Sequence, residues 1–338
     1  MDGMTHRGGM GMGMGGGSVS PGGGGGASGS SPSVGSVARD VGKSLGSLAD
    51  TLKDPDSRKD FMRRQRFYLI CYGVAFVFLF FVYHLISDGD FSFLLTLGGL
   101  TRLFGFCQLL FHCVKDKSCS GMSLKTVQMY AVVFFSRLCS ILFYEGYLPY
   151  DSSGDWLYQM VELSSFFICL AIIFLMMVTN KNTYDKDSDV FGHGMGLPNE
   201  FGPIYLAIPC LVLAVIVHPK LNANFFTDTA WTFALYLETV SVIPQTYMFQ
   251  KSKTKTVDVW ASHFVFLVGL SRFFLFIFWF SSYHELSDKY SDSITGAWVG
   301  LFVLINQVLH LVLLGDFCYI YLKSAKSGDP IVLTSLAV

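Results

Sequence analysis

Stretches of about twenty mostly apolar residues alternate with short polar connections along this chain, near Phe67–Ile86, Phe91–Val114, Met122–Tyr144, Trp156–Val178, Phe201–His218, Thr229–Phe249, Trp260–Ser281 and Thr295–Leu322. An α-helix rises 1.5 Å per residue, so about 20 residues cross a hydrocarbon core while every backbone donor and acceptor is paired inside the helix. The pattern predicts an all-α membrane protein with eight transmembrane helices. Composition agrees: the 338 residues are 51% hydrophobic and only 14% charged, against about 25% charged in soluble domains.

Basic residues set the orientation. Arg58, Lys59, Arg63, Arg64 and Arg66 precede the first stretch, and Lys115, Lys117, Lys181, Lys186, Lys251, Lys253, Lys255, Lys323 and Lys326 fall in alternate connections. The other connections carry only Lys220 and Lys289. The positive-inside rule then predicts that both termini are cytosolic, with Asp88, Glu145, Asp151 and Glu285 facing a lumen or the exterior. Residues 1–60 are rich in Gly, Ser and Met and poor in apolar residues, and read as a disordered cytosolic tail; the start lacks the apolar run of a signal peptide. Residues 61–90 hold the first helix, 91–323 the remaining seven, and 324–338 a cytosolic C-terminal tail.

Charges inside the apolar stretches carry the candidate chemistry. Arg137 in AVVFFSRLCSILF and Arg272 in FVFLVGLSRFFLFIFW sit where a guanidinium costs about 3 kcal/mol or more, unless it meets a partner or a polar cavity. An anionic ligand is the expectation. The segments from Gln108 and from Gln245 each run through a span end and a Lys/Thr/Ser loop to Ser136-Arg137 or Ser271-Arg272. That correspondence reads as two parallel three-helix repeats joined by a linker helix at Phe201–His218, an arrangement that places a site between the repeats near the midplane.

Glu238, mid-span in WTFALYLETVSVIPQ, needs a cation or a proton, with Arg137 or Arg272 as candidate partners; a structural ion pair and a functional group are both open readings. Pro244 in the same span is expected to kink it. Asp228 and Trp231 put an acid and an aromatic wall at one end of that span, though loop residues read the same way. His263 reads as a structural donor, His310 as a group able to titrate in a mildly acidic lumen, and Asp316 as an acid inside a span. The eight cysteines lack metal-ligand spacing and read as small buried residues. No metal, cofactor, nucleic-acid groove, phosphate loop or catalytic set is expected, so the chain does not read as an enzyme.

The ordered series CSGMSLKT, Ser136-Arg137, TYDKDSD, WTFALYLETVSVIPQ, SHFVFLVGLSR and DFCYIYLKS resembles the KDEL receptor family, the ER lumen protein retaining receptors, over about residues 91–323. The resemblance implies a seven-helix core similar to SWEET transporters, with the helix at 61–90 an addition. It implies residence in endoplasmic reticulum and Golgi membranes, capture of C-terminal Lys/His-Asp-Glu-Leu-like signals of escaped luminal proteins, and return by a vesicle coat on the cytosolic side. Arg137 matches the arginine that meets the peptide carboxylate, Asp228 and Trp231 the residues around its basic position, and Trp279 a cavity tryptophan. Glu238 and Arg272 match a pH-coupled internal lock, and Asp316 an aspartate tied to recycling. Several positions depart: Leu95 and Ser282 stand where the family has arginines, Leu138 and Ser140 replace a tyrosine and an aspartate, Ser271 and Leu275 replace tyrosines, and Arg102 stands at a pH-sensing histidine. Altered or lost tetrapeptide specificity is therefore one alternative, a small-solute transporter a second, and a scaffold without a ligand a third.

Overall fold

The computed structural model describes residues 93–145, 147–148, 155–193, 198, 201–251, 257–281 and 296–327, together with Ile70, Gly73, Val74 and Val77. Its helices are α1 (Phe93–Lys115), α2 (Leu124–Ile141), α3 (Asp155–Phe174), α4 (Ile204–Ile216), α5 (Phe225–Val240), α6 (Ile243–Lys251), α7 (Val259–Ser281) and α8 (Gly296–Ser327). With α5 and α6 in one span, they occupy the places of seven of the eight predicted stretches. The first predicted helix, the glycine-rich tail and the C-terminal tail beyond Ser327 lie outside the described residues, apart from Ile70, Gly73, Val74 and Val77, which are helical and exposed. Among the described residues, four segments are long and apolar enough to cross a membrane: Phe93–Lys115, Asp155–Thr179, Val259–Ser281 and Leu301–Ser324.

Local chemistry sets the ends. The Ser123 hydroxyl accepts the Thr126 N–H and caps α2, and the Asn224 side chain accepts from Phe226 and Thr227 at the start of α5; each satisfies a donor that a helix N-terminus leaves free. α3 runs on through a π turn at Leu175–Thr179. The predicted kink at Pro244 is a full break slightly earlier: α5 ends at Val240, and α6 restarts at Ile243. Pro244 then falls in a first turn, where its missing N–H costs nothing.

Gln245 uses that break. Its Oε1 accepts the Ser123 N–H at 2.8 Å and its Nε2 donates to the Gly121 carbonyl at 2.8 Å, tying α6 to the loop before α2. At the same end, Asp189 accepts from the Ser123 hydroxyl, the Leu124 N–H and the Tyr184 hydroxyl, while Lys125 Nζ donates to the carbonyls of Asp189 and Phe191. Burial pushes the Asp189 carboxyl above its ordinary pKa, and the hydroxyl of Tyr184 pulls the other way.

α1 packs between α3 and α7. Glycines make this close approach possible: a Cβ on Gly98 would stand 2.8 Å from Leu275 Cγ on α7, and one on Gly99 3.1 Å from Val161 Cγ1 on α3. α3 also packs on α2, α2 on α5, and α8 on both α7 and α5, while α4 lies against α5. α3 thus touches both α1 and α2, and α8 both α5 and α7.

Two apolar clusters fill the bundle. One, at the end bearing Lys115 and Lys251, includes Phe106, Tyr130, Phe134 and Phe264, with Phe106 meeting the other three rings edge to face at 4.9–5.6 Å between centroids. The other, at the opposite end, includes Leu95, Leu138, Trp231, Leu275, Trp279 and Val303. The His263 ring and the Tyr321 hydroxyl share a hydrogen bond that joins α7 to α8. The cysteine expectation holds for Cys113, Cys119 and Cys169, which are buried, and fails for Cys107, which is exposed.

Candidate anion site at the middle of the bundle

Between the two apolar clusters, each of five helices places one charged residue: Arg102 on α1, Arg137 on α2, Glu162 on α3, Glu238 on α5 and Arg272 on α7. All five are buried. Glu238 Oε1 accepts from Arg102 Nη1 and Arg272 Nη2, and its Oε2 accepts from Arg137 Nη2. Glu162 Oε1 accepts from Arg102 Nη2 and, at 3.2 Å, from Arg137 Nη1. The result is a closed ring of alternating charge, Arg102, Glu238, Arg137 and Glu162, with Arg272 attached to Glu238. The Arg102 guanidinium also lies 4.8 Å from the Phe134 ring centre, a placement that ring electrostatics favours.

Three guanidiniums face two carboxylates, so the cluster holds one positive charge in excess among the described residues. Arg102 Nε, Arg272 Nε and Glu162 Oε2 are buried without a hydrogen-bond partner among the described residues. Of the three arginines, Arg137 has the most accessible side chain, 7% against 1% for Arg102 and 2% for Arg272. Removing one member of such a set strands a buried charge, which costs about 3–5 kcal/mol.

The sequence-predicted residues fall into three groups. Arg137, Arg272 and Glu238 are brought together, and His310 reaches the same layer on α8, between Val303 and Leu314 of the two clusters, with Nε2 buried and unpartnered among the described residues. Trp231 and Trp279 meet one layer away, with ring centres 6.2 Å apart and nearly perpendicular. Asp228 is close by but already engaged: it is fully buried and accepts from the Tyr147 hydroxyl at 2.7 Å and the N–H groups of Asn222 and Asn224 at 3.0 and 3.2 Å. Asp316 stands apart, exposed on α8.

Sequence reasoning missed Glu162 and Tyr147. Glu162 carried the same signal as Glu238, an acid in the middle of an apolar span (MVELSSFFICL). Tyr147 carried none, since a tyrosine in a connection is unremarkable until it stacks on Trp231 at 4.1 Å between ring centres. The departing positions also find their places: Leu95, Leu138 and Leu275 all join the apolar cluster around Trp231 and Trp279. The Ser140 hydroxyl accepts from Asn222 and the Ser271 hydroxyl donates to the Gly98 carbonyl. Ser282 lies outside the described residues.

Residues 118–282 match the family described as ER lumen protein retaining receptor. Over 238 residues the chain is 31% identical to ER lumen protein-retaining receptor B of Arabidopsis thaliana, an alignment covering 70% of this chain and 96% of the relative. The chain belongs to the ER lumen protein retaining receptor family. Receptors of Petunia hybrida and Dictyostelium discoideum, each named ER lumen protein-retaining receptor, are 29% identical, again over 70% of this chain and 96% of their own length. The region matched by the family description contains Arg137, Glu162, Glu238 and Arg272 and all of the Trp231–Trp279 wall, while Arg102 and His310 lie beyond its ends.

Proposed function

We propose that this protein is a retrieval receptor that binds the C-terminal sequence of escaped soluble proteins of the endoplasmic reticulum in the Golgi lumen and returns them in coat-dependent vesicles. One observation carries the reading: a buried cluster with a guanidinium in excess, reached through Arg137, in a chain whose relatives are named as receptors retaining ER lumen proteins. A free C-terminal carboxylate is the anion that balances the cluster, and the planar two-donor face of arginine suits it. The parallel-repeat reading draws support from the packing, since α3 and α8 take equivalent places in their three-helix sets and α1 meets α7 as α2 meets α5. The positive-inside distribution supports cytosolic placement of the lysine-bearing end, so that the tryptophan wall opens to the lumen.

A specific observation favours altered specificity within this function. Leu95, Leu138 and Leu275, at positions where the resembling family carries polar groups, form a single apolar surface with Trp231 and Trp279. Acidic middle positions of a peptide find no cation there, whereas the carboxylate anchor is kept. The test is the affinity of purified receptor for Lys-Asp-Glu-Leu, for Lys-Ala-Ala-Leu and for the C-terminal amide of each. Both acids should bind with affinities within about tenfold of each other, and both amides should lose binding. Equal binding of acid and amide overturns the anchor.

A further inference from the structure

The ring at the midplane contains one carboxylate whose purpose the receptor reading does not explain. Glu238 uses both oxygens and holds all three arginines. Glu162 offers Oε1 to both Arg102 and Arg137, and its Oε2 is buried without a hydrogen-bond partner among the described residues. The contact from Glu162 to Arg137, at 3.2 Å, is the longest in the ring. It falls on Nη1 of the arginine whose side chain is the most accessible, while the other end of that guanidinium is held by Glu238. The Tyr158 hydroxyl faces both Glu162 and Arg137 from one turn away on α3.

We infer that Glu162 is a resident competitor for the ligand: its carboxylate occupies the Nη1 side of Arg137 in the empty receptor, and an entering C-terminal carboxylate takes that place. This rests on the receptor reading above and adds a specificity-setting residue to it. The exchange is chemically even. Glu162 keeps Arg102 as its partner, Arg137 keeps Glu238 and trades one carboxylate for another, and the third carboxylate brings the cluster to formal neutrality. Every guanidinium and carboxylate of the ring keeps at least one partner of opposite charge through the exchange, and that is the condition for a polar exchange at low dielectric. Glu162 also fills the anion subsite when no ligand is present, so a weaker anion such as chloride must displace a tethered carboxylate to enter. The competitor thus raises the threshold for binding and selects ligands that combine a carboxylate with contacts elsewhere, such as the tryptophan wall.

Two variants separate competition from a general field effect. Glu162→Gln removes the charge and the competitor together; Glu162→Asp keeps the charge but is one methylene shorter, so it withdraws from Arg137. The full-length receptor in detergent is titrated with Lys-Ala-Ala-Leu and its C-terminal amide, and its melting temperature is recorded alongside. Competition predicts that both variants bind the acid about tenfold more tightly than the unaltered receptor, with the amide still rejected, and that chloride competes more effectively against the peptide in both. Tighter binding in Glu162→Gln alone would assign the effect to net charge and overturn the proposal. So would wild-type or weaker affinity in folded Glu162→Asp, which would make Glu162 a structural brace. If neither the receptor nor any variant distinguishes acid from amide, the failure belongs to the receptor reading and takes this inference with it.

Discussion

At the residue scale, the two arginines first picked out in the sequence are unequal in the structure. Arg137 is bound on two sides and is the more accessible, while Arg272 hangs from Glu238 alone among the ring's carboxylates. Arg137→Lys should leave the receptor folded but lower affinity for a C-terminal carboxylate at least tenfold, because a single ammonium cannot bridge Glu238 and a ligand as a planar fork does; peptide titration of the folded variant checks this. Glu238→Gln should behave differently. It removes the carboxylate that touches all three guanidiniums, so loss of about 3–5 kcal/mol is expected, read as a lowered melting temperature in detergent before any ligand is added. Legibility at this scale followed cost. Arg137, Arg272 and Glu238 stood out because charges are expensive in hydrocarbon, and Glu162 was legible by the same rule. Asp228 was visible as an acid at a helix start, and its bonds from Asn222 and Asn224 are local, but its engagement by Tyr147 depends on how two distant connections meet, and no local pattern records that.

At the element scale, helices stand at seven of the eight predicted apolar stretches, with the ends shifted by a few residues where caps decide them: Asn224 caps α5 ahead of the expected Thr229. The break at Ser241–Val242 was read as a kink because proline announces a disruption without saying whether the chain recovers before it. Close helix contact is the other element-scale feature, and it makes a prediction of its own. Gly98→Val should push α1 from α7, since its Cβ alone would come within 2.8 Å of Leu275 Cγ. Its melting temperature should fall clearly, and Leu275→Ala added to it should recover part of the loss, a coupling measured by the double-mutant cycle. If the two effects simply add, the clash lies elsewhere.

At the scale of the whole molecule, the lysine-rich connections argue for one orientation of the bundle. A glycosylation acceptor inserted near Ser152 should be modified and one near Asp187 should not, measured by gel shift before and after deglycosylation. The matched Gln-to-Arg segments pointed to two parallel three-helix sets, and the structure brings their two arginines, Arg137 and Arg272, onto the same carboxylate, Glu238. The ring of charges also bears on how such a protein is made. α1, α2, α3, α5 and α7 each carry into the bilayer a charge that no residue of the same helix neutralises, and the ring spans nearly the whole order of synthesis, from Arg102 to Arg272. A nascent chain that has delivered only α1 to α3 holds Arg102 and Arg137 against Glu162 alone, and it must wait for Glu238 to arrive. Until then a single Glu162 oxygen serves both guanidiniums, and each gains a second carboxylate only when α5 enters, so the charge layer closes late in synthesis.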